Sequence, residues 1–140
     1  MFKPRLFNNW KYELPECETY YTRVKFPSPK PFSNRWMCLI PGALRLNRFY
    51  AWDGATCAPD FEWVLKPSLY HDAIYQFAED IARTWGCSVW TVLRFADRVF
   101  FEAMTDAPPI MRCIYYGAVA TIGYPFHQVM RLVKFKRIKL

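Results

Sequence analysis

The chain has 140 residues, 53% hydrophobic and 19% aromatic, enough to fill one core and too short for a second of useful size. Its formal net charge is +7, but so apolar a composition excludes a disordered polycation. Five cysteines, Cys17, Cys38, Cys57, Cys87 and Cys113, form no CxxC pair and cannot all be bridged within one chain, which excludes a disulfide scaffold and predicts reduced thiols.

In chain order, residues 1–66 are rich in proline and in short β-prone runs, at Tyr20–Phe26, Arg35–Ile40 and Leu44–Tyr50. Pro27-Ser28-Pro29-Lys30-Pro31 cannot continue a strand ladder and reads as a loop. Pro41-Gly42 is a turn between the second and third runs. The early residues Lys3, Arg5, Asn8, Asn9, Lys11 and Glu13 interrupt any signal-peptide run. Residues 67–140 read as helical. A first helix starts near Pro67-Ser68 and runs to about Arg83, stopped by Trp85-Gly86-Cys87. Ser88 caps a second helix reaching about Met104. Asp106-Ala107-Pro108-Pro109 then opens a third, from Ile110 to Thr121, which Gly123 and Pro125 interrupt before a last stretch through Phe135. The expectation is a single α+β domain, a small N-terminal antiparallel sheet followed by a helical half. No run approaches the roughly eighteen apolar residues that span a bilayer.

Helical periodicity, about 100° per residue, places the chemistry. On the first helix Tyr70, Ile74, Phe77 and Ile81 form the buried stripe, His71 lies at its edge, Tyr75 one turn on, and Asp72 toward the open side. On the second, Asp97 falls within an apolar stripe of Trp90, Leu93, Phe101 and Met104. A carboxylate there is costly to bury without donors. His71 and Tyr75 are the natural donors if the two helices pack antiparallel. Such a carboxylate fixes the tautomer of the histidine and frees its other nitrogen as a general base. The same residues also suit a purely structural clasp.

Asp53-Gly54, in the loop between the two halves, reads either as a tight turn or, with Asp72, as oxygen ligands for a hard cation such as calcium. Zinc-type spacings are missing. From Arg131 onward the cations Arg131, Lys134, Lys136, Arg137 and Lys139 stand without an acid. They form either a solvated tail or a contact for phosphate-bearing partners.

The ordered set Asp53-Gly54-Ala55-Thr56-x-x-Pro59, His71-Asp72-x-x-Tyr75 and Ala96-Asp97-x-x-Phe100-x-x-Ala103-Met104 resembles an uncharacterised family of small phage and prophage proteins. That resemblance implies a viral origin. The His-Asp-x-x-Tyr helix with a later aspartate is also similar to the phospholipase A2 superfamily. This second resemblance implies His71 as the base, Asp72 as the calcium ligand with the Asp53-Gly54 loop, and Tyr75 and Asp97 as the pair that orients the histidine. The family loop carries two or more glycines, whereas here only Gly54 is present. The resemblances imply a calcium-dependent lipid or ester hydrolase, or else a non-catalytic virion or assembly protein. Expected partners are membrane lipid or other virion proteins. The aromatic residues Phe2, Phe7, Trp10 and Tyr12 suit such surfaces, and nucleic acid is disfavoured for want of a reader motif. The expected location is the host cytoplasm, with incorporation in the virion.

Overall fold

The computed structural model describes the backbone of residues 3–4, 12–52, 54 and 61–133, and side chains within 12–52, at 54 and within 61–125. The fold is α+β, with two small antiparallel sheets and four helices. One sheet joins β1 (Lys3–Pro4), β2 (Tyr12–Glu13) and β7 (Ala51–Trp52) in the order β1-β2-β7. The other contains β3 (Glu18–Tyr21), β4 (Phe32–Ser33), β5 (Met37–Ile40) and β6 (Ala43–Leu46) in the order β3-β6-β5-β4.

The second sheet follows from alternation. Met37 and Leu39 on β5 face the same side, opposite Leu46 and Leu44 on β6, and all four are buried. The hairpin between them turns at Pro41-Gly42, where Gly42 takes φ +88°, a backbone conformation a side chain would strain. The first expected run is shorter than anticipated. The Thr22 amide still reaches the Gly42 carbonyl in register, and beyond it the Thr22 hydroxyl takes the Val24 amide, which turns the chain away from the sheet. The two-residue strands of the first sheet are too short for a periodic signal.

The helices differ from expectation in three places. α1 spans Glu62–Gln76, so Pro67 lies inside it rather than at its start. The carbonyl of Leu65 finds the Ser68 hydroxyl at 2.7 Å, so Ser68 serves this turn instead of opening the helix. The expected continuous helix to Arg83 is broken at Phe77 (φ −105°, ψ 17°), and α2 (Ala78–Trp85) follows. Ile81, Ala82 and Trp85 of α2 enter the core, where Trp85 meets Phe95 edge-on. Gly86, at φ +69°, ends α2. α3 (Val89–Ala103) begins on the expected cap, the Ser88 hydroxyl accepting from the Thr91 amide. α4 (Pro109–Val133) runs unbroken through Gly123 and Pro125. Pro125 forfeits only the bond to the Thr121 carbonyl, and both residues are exposed, where water can serve that oxygen.

Sheet and helices share one apolar cluster, from Leu14, Leu39 and Trp52 through Leu69, Ile74 and Ile81 to Leu93 and Val99. A smaller cluster joins Val64, Phe100, Met104 and Tyr115. Val64, early in α1, therefore meets the end of α3, while Tyr75, late in α1, meets Asp97 nearer the start of α3. The two helices are antiparallel. That orientation brings the polar residues together.

Candidate functional site

Asp97 is 2% exposed, among the least accessible charged groups of the described residues. Burial of a carboxylate is tolerated only with donors around it. Here the Tyr75 hydroxyl donates to Oδ1 at 2.8 Å, and His71 Nε2 lies 2.9 Å from the same oxygen. The guanidinium of Arg94, one turn earlier on α3, stands 3.5 Å from Oδ2. Arg94 also donates to the Ala120 carbonyl of α4 at 2.8 Å and lies over the Trp90 ring, 4.3 Å from its centroid. Asp97 thus ties three helices.

The imidazole of His71 is held on every side but one. Phe100 packs on it at 5.2 Å and Tyr75 at 4.0 Å between ring centroids. Because Asp97 can only accept, a neutral His71 keeps its proton on Nε2 and presents the Nδ1 lone pair. Nδ1 faces Asp72, 3.7 Å from Oδ1 and beyond direct hydrogen bonding. The Asp72 side chain is 25% exposed, so the free nitrogen looks toward the wet edge of the network. Burial pushes the pKa of His71 down, but the carboxylates of Asp72 and Asp97 outweigh it and hold the pKa above the ordinary value of 6.5. Burial, then the Asp97 charge, pushes the Tyr75 phenol far up, so it stays a donor at any ordinary pH.

The same side of α1 continues one turn on with Gln76, which accepts from the buried Tyr50 hydroxyl at 2.8 Å. Burial first and then the charge of Asp72 raise the pKa of Tyr50. Gly54 is buried, with φ +76°, a conformation that favours glycine. Asp53 lies outside the described residues, as do Lys134, Lys136, Arg137, Lys139 and the side chain of Arg131. A hard cation needs several oxygen ligands together. No group of three or more His, Cys, Asp or Glu able to hold a metal occurs among the described residues.

The structure therefore brings His71, Asp72, Tyr75 and Asp97 together. It corrects the stripe that surrounds Asp97. Trp90 is 47% exposed and Phe101 half-buried; the buried side of α3 is Val92, Leu93, Phe95, Ala96, Asp97, Val99 and Phe100. Arg94 was missed by the sequence reading, although its spacing of three residues before Asp97 is the ordinary signal of a helical ion pair. Gly123 was read as a break; it is a close approach, and a Cβ added there would collide with the Tyr75 hydroxyl. A separate cavity of about 720 Å³ lies between Leu14, Cys17, Glu18, Trp63 and Lys66, and His71 does not line it. No family model, no curated protein and no solved structure matches this chain.

Proposed function

We propose that the protein is a phage-encoded lipid or ester hydrolase in which His71 is the general base, assisted by calcium. The observation that carries this reading is the division of labour on one imidazole. Nε2 is committed to Asp97, and Nδ1 faces the partly exposed Asp72, presenting its lone pair whenever the ring is neutral. In that role Nδ1 takes a proton from water as the water oxygen attacks an ester carbonyl, and the proton passes on to the leaving alkoxide. Asp97 stabilises the imidazolium in between, and Tyr75 and Arg94 hold Asp97 in place. Calcium held by Asp72 and loop oxygens would polarise the carbonyl and offset the charge that develops on its oxygen. The free thiols Cys17, Cys38, Cys87 and Cys113 accord with action in the host cytoplasm or from a virion.

The test is fatty-acid release from phosphatidylglycerol vesicles with calcium at about 1 mM, a concentration at which weak oxygen sites fill. Release is expected, with loss in EDTA and in Asp72→Asn. His71→Gln should lower the rate at least about a hundredfold, the usual contribution of a general base. A wild-type protein that releases nothing, while calorimetry detects no calcium binding, overturns the proposal.

A second reading is favoured by the saturation of Asp97. In it the network is a clasp joining α1, α3 and α4 in a non-catalytic virion or assembly protein. Its signature is a large fall in Tm for His71→Gln with no hydrolysis to lose.

A further inference from the structure

The inner face of α4 is spoken for: Tyr115 is buried, Met111 and Val119 pack beside it, and Gly123 sits on Tyr75. Its outer face has no such cover. Ile110 is 75% exposed, and Ile114 and Ile122 are each 56% exposed. Cys113, Gly117, Ala118 and Thr121 are exposed between them and Pro125 just beyond, at the three- and four-residue spacing of one helix side. The lone charged residue between Pro109 and Pro125 is Arg112, and it turns inward, donating to the Phe101 carbonyl at 2.8 Å. The outer face is therefore free of charge over about 25 Å of helix.

Charge returns immediately beyond it, with one sign. From Ala107 to Leu140 the sequence has no Asp or Glu, and Arg131, Lys134, Lys136, Arg137 and Lys139 follow the isoleucine face. We propose that this exposed isoleucine face of α4, with the cations that follow it, docks the protein on an anionic lipid surface. Isoleucines exposed to this degree gain by entering the acyl-chain boundary, while cations gain from lipid phosphate. A second copy of the chain suits the face less, because the same acid-free segment offers those cations no counter-charge. Nucleic acid would satisfy the cations and leave the isoleucines in water. Among the described residues no helix is long and apolar enough to cross a membrane, so the helix lies along the surface. The inference rests on the exposed face of α4 and the cations that follow it in the sequence, and does not depend on His71 being catalytic.

Co-sedimentation of the full chain with two kinds of vesicle tests it. One is phosphatidylcholine alone; the other carries about one-third phosphatidylglycerol, which supplies the anionic surface. Binding is expected only to the second kind. Ile114→Asp combined with Ile122→Asp should weaken it at least about tenfold, since both residues would enter the lipid boundary. The milder pair Ile114→Asn and Ile122→Asn should weaken it in the same direction. Tm should stay near wild type in both, because the side chains touch solvent. His71→Gln, which lowers hydrolysis at least about a hundredfold if the proposed function holds, should leave binding unchanged. The docking surface is overturned if wild type ignores anionic vesicles or if the isoleucine variants bind as well as wild type. It is also overturned if duplex DNA displaces the vesicles in an isoleucine-independent way, or if size-exclusion shows an isoleucine-dependent dimer that does not bind lipid.

Discussion

α3 carries two carboxylates that solve one problem in different settings. Asp97 is buried and takes His71, Tyr75 and Arg94; Glu102, half-buried, takes the Tyr20 hydroxyl at 2.8 Å, the Thr22 hydroxyl at 2.6 Å and the Arg23 amide at 3.0 Å. Both fasten α3 to another element, Asp97 to α1 and Glu102 to the segment at the end of β3. The difference lies in the donors. A hydroxyl or an amide that has donated is too weak a base to take a proton from water or a substrate. An imidazole that donates from one nitrogen still has the other. Glu102 therefore shows what a fastening alone looks like, and the surplus nitrogen of His71 is what sets the Asp97 network apart.

Removing each carboxylate measures the fastening part. Asp97→Ala leaves Arg94 and His71 partly buried without their counter-charge, and breaking such a pair costs about 3–5 kcal/mol. Glu102→Ala releases donors that water can reach, so the cost falls nearer about 1.5–3 kcal/mol, the range for hydrogen bonds to a charged group. Urea unfolding of the two variants beside wild type gives both numbers. Equal losses would mean that burial of Asp97 counts for nothing and would end the distinction.

Gly123 sharpens the same comparison from the α4 side. Its missing Cβ lets the helix close on the Tyr75 hydroxyl, which Asp97 already holds. Gly123→Ala should destabilise by about 1–3 kcal/mol, as overpacking does. The Tyr75→Phe background removes the oxygen nearest the new methyl group. The double variant should then lose less than the sum of the single losses, because residues in contact are coupled. Additive losses in chemical denaturation would show that α4 does not bear on the Asp97 network through Tyr75.

How much of this was readable from sequence depends on the length of the pattern involved. Tyr75 follows His71 by one helical turn, and Asp97 stood out as an acid on an apolar helix, so those three residues were legible from periodicity. The surroundings of Asp97 were not. Trp90 counts as apolar in any pattern, yet it is half-exposed because Arg94 covers its face and Tyr124 meets its edge. Gly123 and Pro125 have the composition of a helix break. They lie within α4 because a glycine was needed for close approach and a proline on the wet side costs little. Pro67 misled in the same way, as the start of a helix that had begun at Glu62. The strands of the first sheet are two residues long, and pairing between Tyr12 and Trp52 leaves no trace in alternation.

The subtlest contrast between the two carboxylates is in pH. Asp72 and Asp97 hold the pKa of His71 above 6.5 despite burial, so the folded state binds its proton more tightly than the unfolded chain. The stability this adds is fully present below the unfolded pKa, and it is lost as pH rises through the raised folded pKa. Arg94 stands on the far oxygen of Asp97, 3.5 Å away. Near Glu102 no donor changes charge in that window: burial and then Glu102 push the Tyr20 phenol far up, and neither the Thr22 hydroxyl nor the Arg23 amide titrates. In EDTA, the Tm advantage of wild type over His71→Gln should therefore shrink between about pH 6 and pH 9, where an upshifted histidine loses its proton. The advantage over Glu102→Ala should hold steady across the same span. An advantage over His71→Gln that grew with pH would mean that His71 is neutral when folded, with burial prevailing over both carboxylates.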